Sequence, residues 1–237
     1  MPVPSHLVLD LDDTILDYSA PAEALWPQLY RRFAPAMGVP VDRLQRAVKE
    51  SLRWYWSDPE RFREGRLDLK RARRILVRNA FEALSRKDME TADALADAFS
   101  RERENVVKPF AGAVESLELF QRRGARMVLL TNGESALQRA KIERFGLGRF
   151  FDAILIEGEI GIGKPDPRAH RAALALLEAE PAKAWMIGDS WDFDIRPANA
   201  LGMNGAWIRD PERASEKPAG VTVPSLRALA NRWEDPA

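Results

Sequence analysis

The 237-residue chain contains no cysteine and only two histidines, His6 and His170. Disulfides, thiolate metal sites and cysteine nucleophiles are thereby excluded, and a histidine-rich metal centre lacks the ligands it needs. An excess of one charge is missing as well, since 36 Lys and Arg stand against 36 Asp and Glu. No basic field exists for a nucleic acid polymer, so an anionic ligand has to be met by local groups. The N-terminal MPVPSHLVLDLDD has no basic leader. No window approaches the ~18–20 consecutive apolar residues of a membrane span. The expectation is a cytoplasmic protein with no membrane partner.

What is present is a set of short apolar runs at wide intervals: HLVLDL (6–11), RMVLLT (126–131), DAILIE (152–157), AWMIGD (184–189) and GAWIRD (205–210). Runs apolar on both faces, separated by segments of helical period, predict an α/β fold with an open parallel sheet covered by helices. The interval from Tyr18 to Val106 has no such run. It carries four stripes at three- and four-residue spacing instead, led by Trp26, Val41, Ala72 and Met89, and these predict a helical bundle inserted after the first strand. The predicted division is 1–17 and 106–237 for the core, 18–105 for the insertion. PERASEKPAG (211–220) reads as a polar loop and PSLRALANRW as a terminal helix.

In such sheets ligands sit beyond the carboxyl ends of the strands. Four strand ends here carry polar residues. DLDDT (10–14) places Asp10 and Asp12 two residues apart, a pair of like charges that favours a shared cation such as Mg2+. A lone Asp there would only cap a turn. LLTNGES offers Thr131, Asn132 and Gly133 ahead of a helix, which reads either as an N-cap or as a small anion site. GIGKPDP fixes Lys164 between glycines and prolines, and GDSWDFD sets Asp189 and Asp194 after a strand. Each has an ordinary structural reading alone; together they predict a site of acids, hydroxyl and lysine.

These four segments, in this order, resemble the motifs of the haloacid dehalogenase-like hydrolases: DxDxT, a strand ending in Thr or Ser, a Lys, and GDxxxxD. The resemblance implies a Rossmann-like core with a helical cap of the first type. It also implies Mg2+-dependent hydrolysis of a small phosphate monoester, of the nucleotide or sugar phosphate class, through an aspartyl phosphate. It makes Asp10 the nucleophile, Asp12 the acid and base, Thr131 and Lys164 catalytic groups that also bind the phosphoryl group, and Asn132 and Gly133 their neighbours. Asp10, Asp12 (through its main-chain carbonyl) and Asp189 become the metal ligands, with Asp194 supporting them. A phosphomutase, a dehalogenase or a non-catalytic regulator on the same fold are the alternatives. The carbon–halogen hydrolases of the family lack an acid at position 12, and a regulator is expected to have lost Asp10, Asp12 or Lys164. For the cap, RWYWSDPERFREGRLD (53–68) joins aromatics to Arg53, Arg61, Arg63 and Arg66, which reads as a stacking face with cations or as ordinary packing.

Overall fold

A computed structural model describes residues 2–213 and 220–234. Two compact units divide the chain, Met1–Asp17 with Lys108–Ala237, and Tyr18–Val107. The first unit opens with β1 (His6–Leu9) and β2 (Leu16–Asp17). The second contains α1 (Ser19–Glu23), α2 (Trp26–Met37), α3 (Val41–Trp56), α4 (Pro59–Gly65), α5 (Leu69–Ala83) and α6 (Met89–Val106). The chain then re-enters the first unit through β3 (Lys108–Pro109), α7 (Ala113–Arg122), β4 (Arg126–Thr131), α8 (Ser135–Arg144), β5 (Ala153–Ile156) and α9 (Glu157–Ile160). It closes with α10 (Pro167–Leu177), β6 (Ala184–Gly188), a π-helical turn (Trp191–Ile195), α11 (Arg196–Ala200), β7 (Asn204–Ile208), β8 (Val221–Val223) and α12 (Leu226–Glu234).

The main sheet has six parallel strands in the order β5-β4-β1-β6-β7-β8. Chain order runs outward from β1 through β4 to β5, then returns to the other side of β1. That reversal is where an open α/β sheet leaves a crevice beyond its carboxyl edge. Leu7, Val8 and Leu9 on β1 and Met127 to Leu130 on β4 are buried whichever face they point to, because helices cover both sides. On one face Val8, Val128, Leu130 and Met186 pack against Ala169, Ala173 and Leu177 of α10. On the other, Trp233 of α12 meets Phe120 of α7 and Trp185 of β6, each at a ring separation of 5.4 Å.

β8 was not expected. Its three residues are too short to stand out in the sequence, and it forms by pairing Ala206 with Val221 and Ile208 with Val223. Six residues of the expected polar loop, 214–219, lie outside the described residues. The terminal helix is present as α12.

The helical unit forms around the four expected stripes. Leu44, Ala47, Val48 and Tyr55 line one face of α3, and they join Leu76 and Phe81 of α5 and Leu95 and Phe99 of α6 in a single core. Asp58, Asp68 and Asp88 cap α4, α5 and α6 by accepting backbone N–H groups of the first turn. Arg74 clasps Asp97 and Arg78 clasps Asp93, each with two hydrogen bonds, which tie α5 to α6. The short helices α1 and α4 lack enough turns to show a period and were not foreseen.

Leu129, in the middle of β4, is fully buried. Leu129→Ala is expected to cost about 2–5 kcal/mol of stability by leaving a cavity, read as a shift in the urea midpoint at unchanged slope.

Candidate active site

The carboxyl edge of the sheet gathers the residues predicted from sequence. Asp10 follows β1 directly, and its N–H continues the ladder by donating to the Ile187 carbonyl at 2.9 Å. The carboxylate is then held from two sides: Lys164 Nζ donates to Oδ1 at 2.5 Å and Thr14 Oγ1 donates to Oδ2 at 3.2 Å. Lys164 Nζ also donates to Asp194 Oδ1 at 2.6 Å. Lysine is seldom buried, yet Lys164 is only 2% exposed. It is paid for by two carboxylates within direct reach.

Local backbone features make that reach possible. Asn132, after β4, donates Nδ2 to the Lys164 carbonyl at 2.6 Å and accepts the Lys164 N–H on Oδ1 at 2.8 Å. This reciprocal pair fixes the lysine loop to the strand end. Ser190 N–H donates to Asp194 Oδ2 at 3.0 Å. The same carboxylate lies against Gly188, where a Cβ would overlap it, so only glycine at the end of β6 admits Asp194.

Asp10, Asp189 and Asp194 each offer an oxygen within 4.8 Å of the others. Burial first, and then the neighbouring carboxylates against the pull of Lys164, raise Asp10 to about 7. Burial and the charges of Asp10 and Asp194 raise Asp189 to about 8. Burial alone would lower the Lys164 ammonium, but Asp10 and Asp194 outweigh it and hold the group above the ordinary lysine range. Three carboxylates thus face one lysine, and the cluster can accommodate further positive charge. An all-oxygen set of this kind suits a hard divalent cation. His170, fully buried nearby on α10, is lowered to about 4 by burial and by Lys164, so it stays neutral and adds no charge.

Asp12 has partners of its own, distinct from those of Asp10. The strand ends at Leu9, so the alternation of an extended chain no longer governs the next residues. Lys141 Nζ donates to both Asp12 oxygens at 2.6 Å, and Gln138 Nε2 lies 3.1 Å from Oδ2. Gln138 Nε2 is also 2.6 Å from Thr131 Oγ1 and 2.9 Å from the Asn132 carbonyl. Its two hydrogens are therefore shared among three acceptors. Gly133 N–H, a donor that the anion-site reading of this segment would use, is turned to the buried Glu157 carboxylate at 3.2 Å. Asp13 takes a left-handed conformation and its N–H closes the loop on the Leu16 carbonyl at 2.7 Å.

Gln138 and Lys141 escaped the sequence reading. The signal available was the helix SALQRAKIER itself, which has no apolar stripe and buries only Gln138 and Ile142. A helix packed on a sheet without an apolar face is one whose inner face is occupied by polar work, and positions three apart share that face. In the 53–68 stretch, Arg61 lies 4.1 Å over the Trp54 ring and donates to the Trp54 carbonyl, Tyr55 is buried in the bundle, and Arg63 is exposed. These contacts match the packing reading for Arg61, Tyr55 and Arg63, whereas Arg53 and Trp56 of the same stretch border a cleft in the helical unit.

A family model described as haloacid dehalogenase-like hydrolase matches residues 4–202. The chain belongs to this hydrolase family. Phosphoserine phosphatase of Thermus thermophilus is 41% identical over 138 residues, covering 55% of this chain and 55% of that protein, so the chain spans little more than half the length of this relative. Pyrimidine 5'-nucleotidase YjjG of Escherichia coli is 31% identical over 159 residues, 65% of this chain and 69% of that one. The crystal structure of YfnB from Bacillus subtilis bound to magnesium shares the fold, at 21% identity and a TM-score of 0.71 over 98% of this chain and 99% of that one.

The raised carboxyls of this hydrolase set the sign of a pH effect. At Asp10 and Asp189 the folded metal-free protein binds more protons than the unfolded chain between the ordinary carboxyl value and about 8, so their contribution falls as pH rises; neutral His170 opposes them up to about pH 6.5, which leaves the net fall steepest above that value. The fall is at most about 1.4 kcal/mol per pH unit per group. Denaturation midpoints of chelated protein from pH 5 to 8 are expected to decline, and Asp189→Asn is expected to flatten the slope.

Proposed function

We propose that the chain is a metal-dependent phosphatase of small phosphate monoesters working through an aspartyl phosphate on Asp10. The observation that carries this reading is the Asp10 carboxylate, immobilised by Lys164 and Thr14 in a carboxylate cluster that can accommodate added positive charge. Two relatives that are named a phosphatase and a nucleotidase support the same reaction class.

In this reading an Asp10 oxygen attacks phosphorus, the bond from phosphorus to the leaving oxygen breaks, and Asp12 gives that oxygen its proton. Asp12 then takes a proton from water. The resulting hydroxide attacks phosphorus, the bond to Asp10 breaks, and inorganic phosphate and the free carboxylate return. Positioning and charge stabilisation carry most of such a reaction. Lys164 balances charge on Asp10 and on the phosphoryl oxygens. Thr131 accepts from Gln138, and its own proton has only a long 3.4 Å approach to the Asn132 carbonyl, so it is available to a phosphoryl oxygen. Asn132 and Gly133 shape the loop around it. Lys141 and Gln138 keep the Asp12 carboxylate oriented as a proton acceptor.

Mg2+ would be held by Asp10 and Asp189 with the Asp12 main-chain carbonyl, and when bound it supplies positive charge that neutralises and orients the phosphoryl group. Asp194 stays with Lys164. Residues 18–105 serve as the cap that selects the ester. The acid at position 12 favours this reading over carbon–halogen hydrolysis.

With 4-nitrophenyl phosphate, turnover is expected only with Mg2+ present, and EDTA or Asp10→Asn each abolishes it. Robust EDTA-resistant turnover by the Asp10→Asn protein overturns the assignment. Lys141→Met is expected to lower kcat by about 10²-fold, the lower end of what a positioned acid–base group contributes, with little change in KM and partial recovery in Lys141→Arg. An unaltered kcat in steady-state assays at saturating Mg2+ removes Lys141 from the Asp12 role.

A further inference from the structure

The helical unit encloses a cleft of about 680 Å3, bordered among others by Trp26, Lys49, Arg53, Trp56, Arg73 and Arg103. That volume is typical of small-molecule sites, which run to roughly 300–1,000 Å3, and is far larger than a lone ion requires. Four cations border it against a single acid, Glu23. None of the four forms an ion pair with another described residue.

Two of the cations are built into the floor. Arg73 is 6% exposed and donates to Ser100 Oγ at 3.0 Å, with its guanidinium 5.4 Å over the Phe99 ring; burial and the nearby Arg103 lower it to about 10, outweighing the support it also has from the Tyr18 hydroxyl and the Glu104 charge. Arg103 approaches the same ring at 5.9 Å, stacks on Tyr18 at 3.7 Å, and keeps its Nε buried without a hydrogen-bond partner. Two guanidiniums against one aromatic ring repel each other, and a buried donor without a partner costs free energy. An anion would relieve both. Phe99 in turn stacks on Trp26 with centroids 4.1 Å apart and planes 13° apart, so the floor between the arginines is flat and apolar.

We propose that this cleft binds a small anion with a flat apolar body, Arg73 and Arg103 holding the anionic group while the body lies against Trp26 and Trp56. Charge complementarity specifies the anion, and the volume and aromatic floor specify the body. The site is made only of helical-unit residues, so it holds independently of the Asp10 chemistry.

The test uses full-length Asp10→Asn protein without metal, labelled with 5-fluorotryptophan, and phenylphosphonate as probe. Titration is expected to shift the fluorine resonance that Trp56→Phe removes. Calorimetry is expected to show at least tenfold tighter binding of phenylphosphonate than of inorganic phosphate, which lacks the body, or benzyl alcohol, which lacks the charge. Arg103→Met is expected to weaken phenylphosphonate at least tenfold, with partial recovery in Arg103→Lys, and Arg73→Met to do the same if it folds. A Trp56 resonance that does not move, phosphate binding as tightly as phenylphosphonate, or unchanged affinity in Arg103→Met overturns the proposal.

Discussion

One buried ammonium organises the core. Lys164 Nζ bridges Asp10 and Asp194, two carboxylates that come from opposite flanks of the sheet's reversal point. Losing one partner of such a buried cluster typically costs about 3–5 kcal/mol because charge is left uncompensated. The rest of the edge is arranged to keep the bridge intact. Asn132 pins the lysine's backbone, Ser190 pins Asp194, and the register of β1 between β4 and β6 delivers Asp10. Strand order, loop conformation and one glycine at the end of β6 thus converge on a single charge.

Two acids only two residues apart coexist because each has its own cation. Asp10 is answered by Lys164 and Asp12 by Lys141, from different elements. The charge of Asp12 accordingly weighs less on Asp10 than burial, Lys164 and Asp194 do. The division of labour proposed for the two carboxylates has this separation as its physical basis: one is locked in place among acids, the other is cradled by donors.

Much of this was legible in the sequence. Apolar runs marked five of the six main strands, because strands buried on both faces cannot avoid being apolar throughout. Asp10, Lys164, Asp189 and Asp194 stand out in the sequence because polar groups near strand ends contrast with such runs, and folding brings them together. What stayed hidden had no contrast to reveal it. β8 is three residues long, α1 and α4 complete too few turns to show a period, and Gln138 and Lys141 look like surface residues on a helix whose inner face happens to be polar. The partner of Gly133 N–H, Glu157, was invisible because it follows a different strand and meets the glycine only after folding.

The small ladder of β2 and β3 pairs Leu16 with Pro109 and Asp17 with Lys108. The insertion between them therefore leaves and re-enters the core at one point, as the two strands of a hairpin would. To the sheet, everything from Tyr18 to Val107 is topologically one very long turn, and the entropy of closing a loop grows only slowly with its length. An architecture of this kind lets the inserted module diversify, lengthen or be exchanged while the strand order of the core stays fixed.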